Sequence, residues 1–225
     1  MDRAQGFLFD LDGTLVDSVY QHVLAWRIAL DRAGIDLAVW RIHRKVGMSG
    51  GLFANALLRE TGREVTAQQA SELRRLHAEA YAERSTEVRP LPGARELLTH
   101  LTSTGVPWAI ATSGYLESAG PTLELLELPG DVPVITRDLV ERAKPDPDLF
   151  VTAAQQLGVE VTGAVVVGDS VWDLLAAHRA RALGVGLLSG GYGQEELERA
   201  GAYRVYQDPA DLLCHLDEVG VRTSE

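Results

Sequence analysis

The sequence is poor in cysteine, in positive charge and in long apolar runs, and each shortage removes a class of protein. A single cysteine, Cys214, rules out an internal disulfide framework and a cysteine zinc site, and it fits a reducing compartment. Its neighbours Leu212, Leu213 and Leu216 mark it as buried filler rather than a nucleophile. Lysine and arginine together number 21 against 32 aspartates and glutamates. The resulting net charge of -11 argues against nucleic acid or an anionic membrane as the main partner, because both are bound through basic surface. A small anionic substrate stays open, provided the site carries its own positive charge. The only N-terminal apolar run is far shorter than a signal-peptide core or a membrane span, so a cytoplasmic protein is expected. No internal repeat or low-complexity segment breaks the 225 residues, which give room for one domain with a sizeable insertion.

What is present is organised around Phe7-Leu8-Phe9-Asp10-Leu11-Asp12-Gly13-Thr14. The apolar triplet reads as a buried strand, so Asp10 sits where the strand leaves its sheet, the end at which open α/β sheets place ligands. In an extended Asp-x-Asp the carboxylates of Asp10 and Asp12 point the same way, and their repulsion calls for a cation or a shared proton. A hard divalent metal is the simplest relief.

Ser18-x-x-Gln21 reads as a capping box opening a helix, with Asp17 as an alternative cap. The apolar stripe Val19, Val23, Trp26, Leu30 and Ala33 follows, which places Trp26 in the core. The pattern stays helical to about residue 90, with Phe53 and Leu57 on one segment and Ala70, Leu73, His77 and Ala80 on another, and no strand is expected there. Gly47-Met48-Ser49-Gly50-Gly51 is too glycine-rich for a helix interior and reads as a loop. From residue 91 helices alternate with short apolar runs, the signature of a parallel sheet. Those runs are Pro107–Ala111, ending at Thr112-Ser113-Gly114; Val132–Ile135; Ala164–Val167, ending at Gly168-Asp169; Val185–Leu188; and Tyr203–Tyr206. Lys144-Pro145-Asp146-Pro147 follows the second, with Asp146 as helix cap and Pro147 at the first helical position. Asp208-Pro209 caps a terminal helix.

Asp10, Asp12, Thr112, Lys144 and Asp169 therefore gather at C-terminal strand ends. Together they supply a carboxylate nucleophile, a second carboxylate for proton transfer, acidic metal ligands, and hydroxyl and ammonium donors for transferred oxygens. The four stretches around Asp10, Thr112, Lys144 and Asp169–Asp173 stand in the order of the motifs of the haloacid dehalogenase superfamily. The chain resembles phosphohydrolases of that superfamily with a helical C1-type cap after the first strand, the group of phosphoglycolate phosphatases and β-phosphoglucomutases.

The resemblance implies a Rossmann-like parallel α/β core in residues 1–16 and 91–225, with helices on both faces, and a helical cap in residues 17–90. It implies that Asp10 is the nucleophile and Asp12 the acid and base, its carboxyl tuned upward by its acidic neighbour. Mg²⁺ would be held by the Asp10 carboxylate, the Asp12 main-chain carbonyl and Asp169, with Asp173 supporting the metal waters or Lys144. Thr112, Ser113, Gly114 and Lys144 would hold the phosphoryl group. His22, on the first cap helix, is a substrate-binding candidate or simply a partly exposed helix residue, while His43, His77, His100, His178 and His215 read as structural. Arg44 and Lys45 either face solvent or contact a second anionic group.

The expected activity is Mg²⁺-dependent hydrolysis of a small phosphomonoester, of phosphoglycolate or sugar-phosphate type, through an aspartyl phosphate. The expected partner is a small phosphorylated metabolite, with no nucleic acid and no membrane, and the chain is expected as a monomer or weak homodimer. A phosphosugar mutase of the same fold is the alternative, but that group has arginine where this chain has Gly50. Dehalogenation would lack Asp12, and a phospho-accepting receiver module would lack the inserted helices.

Overall fold

The computed structural model describes residues 6–48, 50–62 and 66–220. In chain order the strands are β1 (Phe7–Phe9), β2 (Val16–Asp17), β3 (Arg89–Pro90), β4 (Trp108–Ala111), β5 (Val134–Ile135), β6 (Val165–Gly168), β7 (Leu183–Leu187) and β8 (Ala202–Tyr206). The helices are α1 (Val19–Arg32), α2 (Val39–His43), α3 (Gly50–Thr61), α4 (Ala67–Ala82), α5 (Ala94–Ser103), α6 (Leu116–Glu124), α7 (Asp148–Leu157), α8 (Val171–Ala180), α9 (Gln194–Ala200) and α10 (Pro209–Cys214).

Six strands form one parallel sheet in the order β5-β4-β1-β6-β7-β8, the Rossmann-like α/β arrangement expected from the alternating pattern. β1 is central, with Leu8 opposite Ala109 on one side and Val166 on the other. A strand covered on both faces cannot alternate polar with apolar residues, which explains its unbroken apolar sequence. Successive side chains serve opposite cores. Phe7 and Phe9 join Trp108, Val165 and Val167 on one face, while Leu8 joins Ala109, Leu149 and Phe150 on the other. Each such fully buried side chain contributes about 1.5–3 kcal/mol. β1, β4 and β6 thus deliver Asp10, Thr112 and Asp169 to one edge.

Between residues 19 and 82 the elements among the described residues are the helices α1 to α4, and α1, α3 and α4 share a core of their own that includes Val23, Leu30, Phe53, Leu57 and Leu73. The segment is entered and left through a short antiparallel ribbon in which Val16 pairs with Pro90 and Asp17 with Arg89. That ribbon is strand structure where none was expected. Its two-residue strands are too short to show period-2 alternation.

Other local readings are corrected. Ser18 does not cap α1 with its side chain; its hydroxyl donates to Asp12 instead, at 2.6 Å. Asp146 does not cap α7, which starts at Asp148 with Pro147 in the cap position. The glycine loop is shorter than expected: α3 starts at Gly50, and Ser49 lies outside the described residues. Cys214 is exposed, because the buried face of α10 is carried by Pro209 and Leu212. No helix among the described residues is long and apolar enough to cross a membrane.

Candidate active site

Asp10 leaves β1 with its backbone N–H still bonded to the Val167 carbonyl at 2.9 Å, so the end of the sheet fixes its direction. Its carboxylate forms an ion pair with Lys144, which also reaches Asp173 at 2.8 Å. Lys144 is fully buried, an expensive place for an ammonium unless charge is returned to it. Asp10 and Asp173 do so. Burial alone would lower the Lys144 pKa, yet the two carboxylates outweigh it and hold the value above the ordinary range. Asp173 is fixed in turn by the Ser170 hydroxyl at 2.6 Å and the Ser170 N–H at 3.1 Å. Asp169, at the end of β6, accepts from the Thr14 hydroxyl at 2.9 Å. Thr112 follows β4, bonds the Ile135 carbonyl through its N–H, and accepts the Gly114 N–H on Oγ1 at 3.0 Å.

Carboxylate oxygens of Asp10, Asp169 and Asp173 lie within 4.8 Å of one another, all buried. Burial, followed by the charges of Asp173 and Asp10, pushes the Asp169 carboxyl well above its usual range. Burial raises Asp10 to about 7 even with Lys144 beside it. One ammonium does not balance three carboxylates, and an all-oxygen cluster with excess negative charge suits a hard divalent cation. The surrounding backbone also approaches the cluster closely. A Cβ at Gly13, whose φ is +83°, or at Gly190 would collide with the Asp169 carboxylate. The donor set therefore fits Mg²⁺.

The haloacid dehalogenase-like hydrolase family model matches residues 4–181. Over 182 residues the chain is 37% identical to hexitol phosphatase A of Escherichia coli K12, covering 79% of this chain and 80% of that protein. Over 210 residues it is 34% identical to phosphoglycolate phosphatase of Caulobacter vibrioides, covering 92% and 85% respectively. The crystal structure of a hydrolase from Pseudomonas syringae superposes with a TM-score of 0.94 at 54% identity, covering 96% of this chain and all of that one. The chain belongs to the haloacid dehalogenase-like hydrolase family.

In this haloacid dehalogenase-like hydrolase the Asp12 carboxylate is engaged away from the acidic cluster. Oδ1 meets the Ser18 hydroxyl at 2.6 Å and His22 Nε2 at 3.1 Å. Burial would raise its pKa, but His22, Ser18 and Lys144 together hold it below the usual value. The expected upward tuning of Asp12 is thus reversed, because the neighbour that decides it is His22 rather than Asp10.

His22 extends the contact into the helices. Its Nδ1 lies 3.1 Å from His77 Nε2, and its ring stacks on Tyr81 with centroids 3.9 Å apart. His77 in turn stacks on Trp26 at 4.2 Å. His77 therefore has ring and hydrogen-bond partners at the cavity, and Trp26 is half-buried in a cavity wall rather than core. The available signal was an imidazole in the apolar stripe Ala70, Leu73, His77, Ala80, which needs a polar partner the pattern does not name.

These rings border a cavity of about 710 Å³ that reaches from Asp10, Asp12 and Thr112 to α4 and α6. The helical segment also touches the sheet side directly, where the Ser113 hydroxyl donates to the Gly47 carbonyl at 3.0 Å and His43 Nε2 meets the Gly190 carbonyl at 2.8 Å. Arg44 and Lys45 do not face solvent freely, since each is held in an ion pair. Arg44 pairs with Glu196, and Lys45, buried, pairs with Glu60.

Proposed function

We propose that this hydrolase is a Mg²⁺-dependent phosphatase that cleaves a small phosphomonoester, of phosphoglycolate or sugar-phosphate type, through an aspartyl phosphate on Asp10. The observation that carries the reading is Asp10 itself. A buried carboxylate beside a buried lysine, an acidic cluster and a second aspartate two residues on is equipped to attack an anionic phosphorus and to move one proton. Similarity to a hexitol phosphatase and a phosphoglycolate phosphatase supports the substrate class.

Asp10, the Asp12 carbonyl and Asp169 would hold Mg²⁺, with Asp173 keeping Lys144 in position. When bound, the ion supplies the positive charge that keeps Asp10 ionised and lets a dianion approach. Thr112, the amides of Ser113 and Gly114, and Lys144 orient the phosphoryl oxygens. An Asp10 oxygen bonds to phosphorus as the bond to the leaving alcohol breaks, and Asp12 gives that alkoxide a proton. Water then attacks the aspartyl phosphate and gives its proton to Asp12, releasing phosphate and restoring the Asp10 carboxylate. An arriving dianion next to Asp12 favours the protonated carboxyl that the first step requires.

In the same reading residues 17–90 act as a cap on the core formed by residues 1–16 and 91–225, with the ribbon of β2 and β3 as the crossing about which it opens. A phosphosugar mutase is disfavoured by Gly50, which offers no side chain for a second phosphate.

The test is hydrolysis of p-nitrophenyl phosphate with and without Mg²⁺. Activity should vanish on chelation and return with Mg²⁺, and Asp10→Asn should lower kcat by about a thousandfold or more while far-UV circular dichroism stays unchanged. Full activity in metal-free buffer, or in the Asp10→Asn protein, would overturn the reading.

A further inference from the structure

The walls of the cavity beyond Asp12 differ in what their charges are doing. Lys45 is paired with Glu60, Arg75 with Glu72 and Glu79, and His22 with Asp12. Arg74 on α4 and Glu117 on α6 line the same cavity, and neither has an ion-pair or hydrogen-bond partner among the described residues. They do not pair with each other across it. A guanidinium offers donors only and a carboxylate acceptors only, so together they match groups that both give and accept hydrogen bonds.

Position sets the length of what they can read. Asp12 is separated from His77 by two contacts of 3.1 Å and the width of the His22 ring. Arg74 lies three residues before His77 on α4, and helical side chains lean towards the N-terminus, so it reaches away from Asp12. The far end of the cavity is therefore roughly 10 Å from Asp12, counting about 1.5 Å of rise per helical residue. A two-carbon leaving group stops near His22. Between the ends, the stacked rings of Trp26 and His77 line the cavity, and Ser71 and Ser118 add hydroxyls. A second anion at the far end would meet Arg74 but also Glu117 and Glu79, which disfavours it.

We propose that this cavity takes a neutral polyhydroxylated leaving group of five or six carbons, with Arg74 donating to its hydroxyls and Glu117 accepting from them. The inference rests on the phosphatase reading above. The experiment measures kcat and KM with Mg²⁺ for a hexitol 6-phosphate, phosphoglycolate and p-nitrophenyl phosphate. The wild type should prefer the hexitol phosphate to phosphoglycolate by about tenfold or more in kcat/KM. Arg74→Ala and Glu117→Ala should each raise KM for the hexitol phosphate by about tenfold with kcat within about threefold. The loss in kcat/KM should exceed that for p-nitrophenyl phosphate at least about fivefold. Preference for phosphoglycolate, unchanged KM in both variants, or equal losses on both substrates would overturn this inference while hydrolysis of the aryl ester keeps the phosphatase reading standing. No hydrolysis of any of the three would overturn both.

Discussion

The two sides of the cleft are held together by different physics. On the sheet side Asp10, Thr112 and Asp169 stand at the ends of three adjacent buried strands, their backbones locked in register, and Lys144 pairs with Asp10 and Asp173. On the helical side the rings of His22, Trp26, His77 and Tyr81 rest on one another, and Lys45 pairs with Glu60 of the same segment while Arg44 reaches Glu196. In the proposed function the sheet side carries the reaction and tolerates little change, whereas the helical side is the surface on which a substrate is selected. Asp12 belongs to the first by sequence and to the second by contact, since α1 holds its carboxylate through His22.

That dual attachment can be separated by experiment. In the proposed mechanism Asp12→Asn removes the transferable proton and should lower kcat for an alkyl phosphate by about 10²–10⁴-fold, with a much smaller loss for an aryl phosphate whose leaving group needs no acid. His22→Asn leaves the proton donor in place and disturbs only its anchoring, so its loss should be on the order of tenfold and similar for both substrates. A leaving-group-dependent loss in His22→Asn equal to that of Asp12→Asn would make His22 the acid and erase the distinction.

The sheet side was legible because it follows rules that survive without coordinates. An apolar run flanked by turns reads as a buried strand, the polar residue after it lies at the sheet edge, and three such strand ends, at Asp10, Thr112 and Asp169, converge. The ribbon at Val16–Asp17, the Ser18 contact and the exposure of Cys214 were not legible, because each depends on a partner distant in sequence or on which face of a short helix is covered. Lys45 shows the same limit. A lysine in a polar loop reads as solvated, and only the fold brings Glu60 to it.

The two buried lysines offer a direct comparison. Lys144→Met would strand Asp10 and Asp173 without their counter-charge and should destabilise the metal-free protein by about 3–5 kcal/mol, besides abolishing turnover. Lys45→Met should cost at most about 2 kcal/mol, because Glu60 keeps Arg41 at 2.9 Å and has partial access to water. Urea denaturation of the two variants measures the difference. Equal costs would mean that the helical side is as strictly charge-balanced as the sheet side.

The smallest expected effect concerns His77. Its ring lies between Trp26 and His22, with Tyr81 on its own helix and the Asp12 carboxylate beyond His22. Burial, together with His22, holds its pKa well below 6.5, and the more distant Asp12 charge only partly opposes this. The unfolded chain therefore takes up a proton on His77 near pH 6.5 while the folded chain resists it. Stability from this residue is present above that pH and is lost as pH falls towards the lower folded-state value. Each pH unit below about 6.5 should cost the wild type up to about 1.4 kcal/mol that a His77→Leu protein does not lose. Urea midpoints from pH 7.5 down to 5.5 should thus fall less steeply in the variant, whatever its stability at neutral pH. Parallel profiles would mean that His77 titrates in the fold as it does in water, and that the ring stack is open enough to solvate a charge.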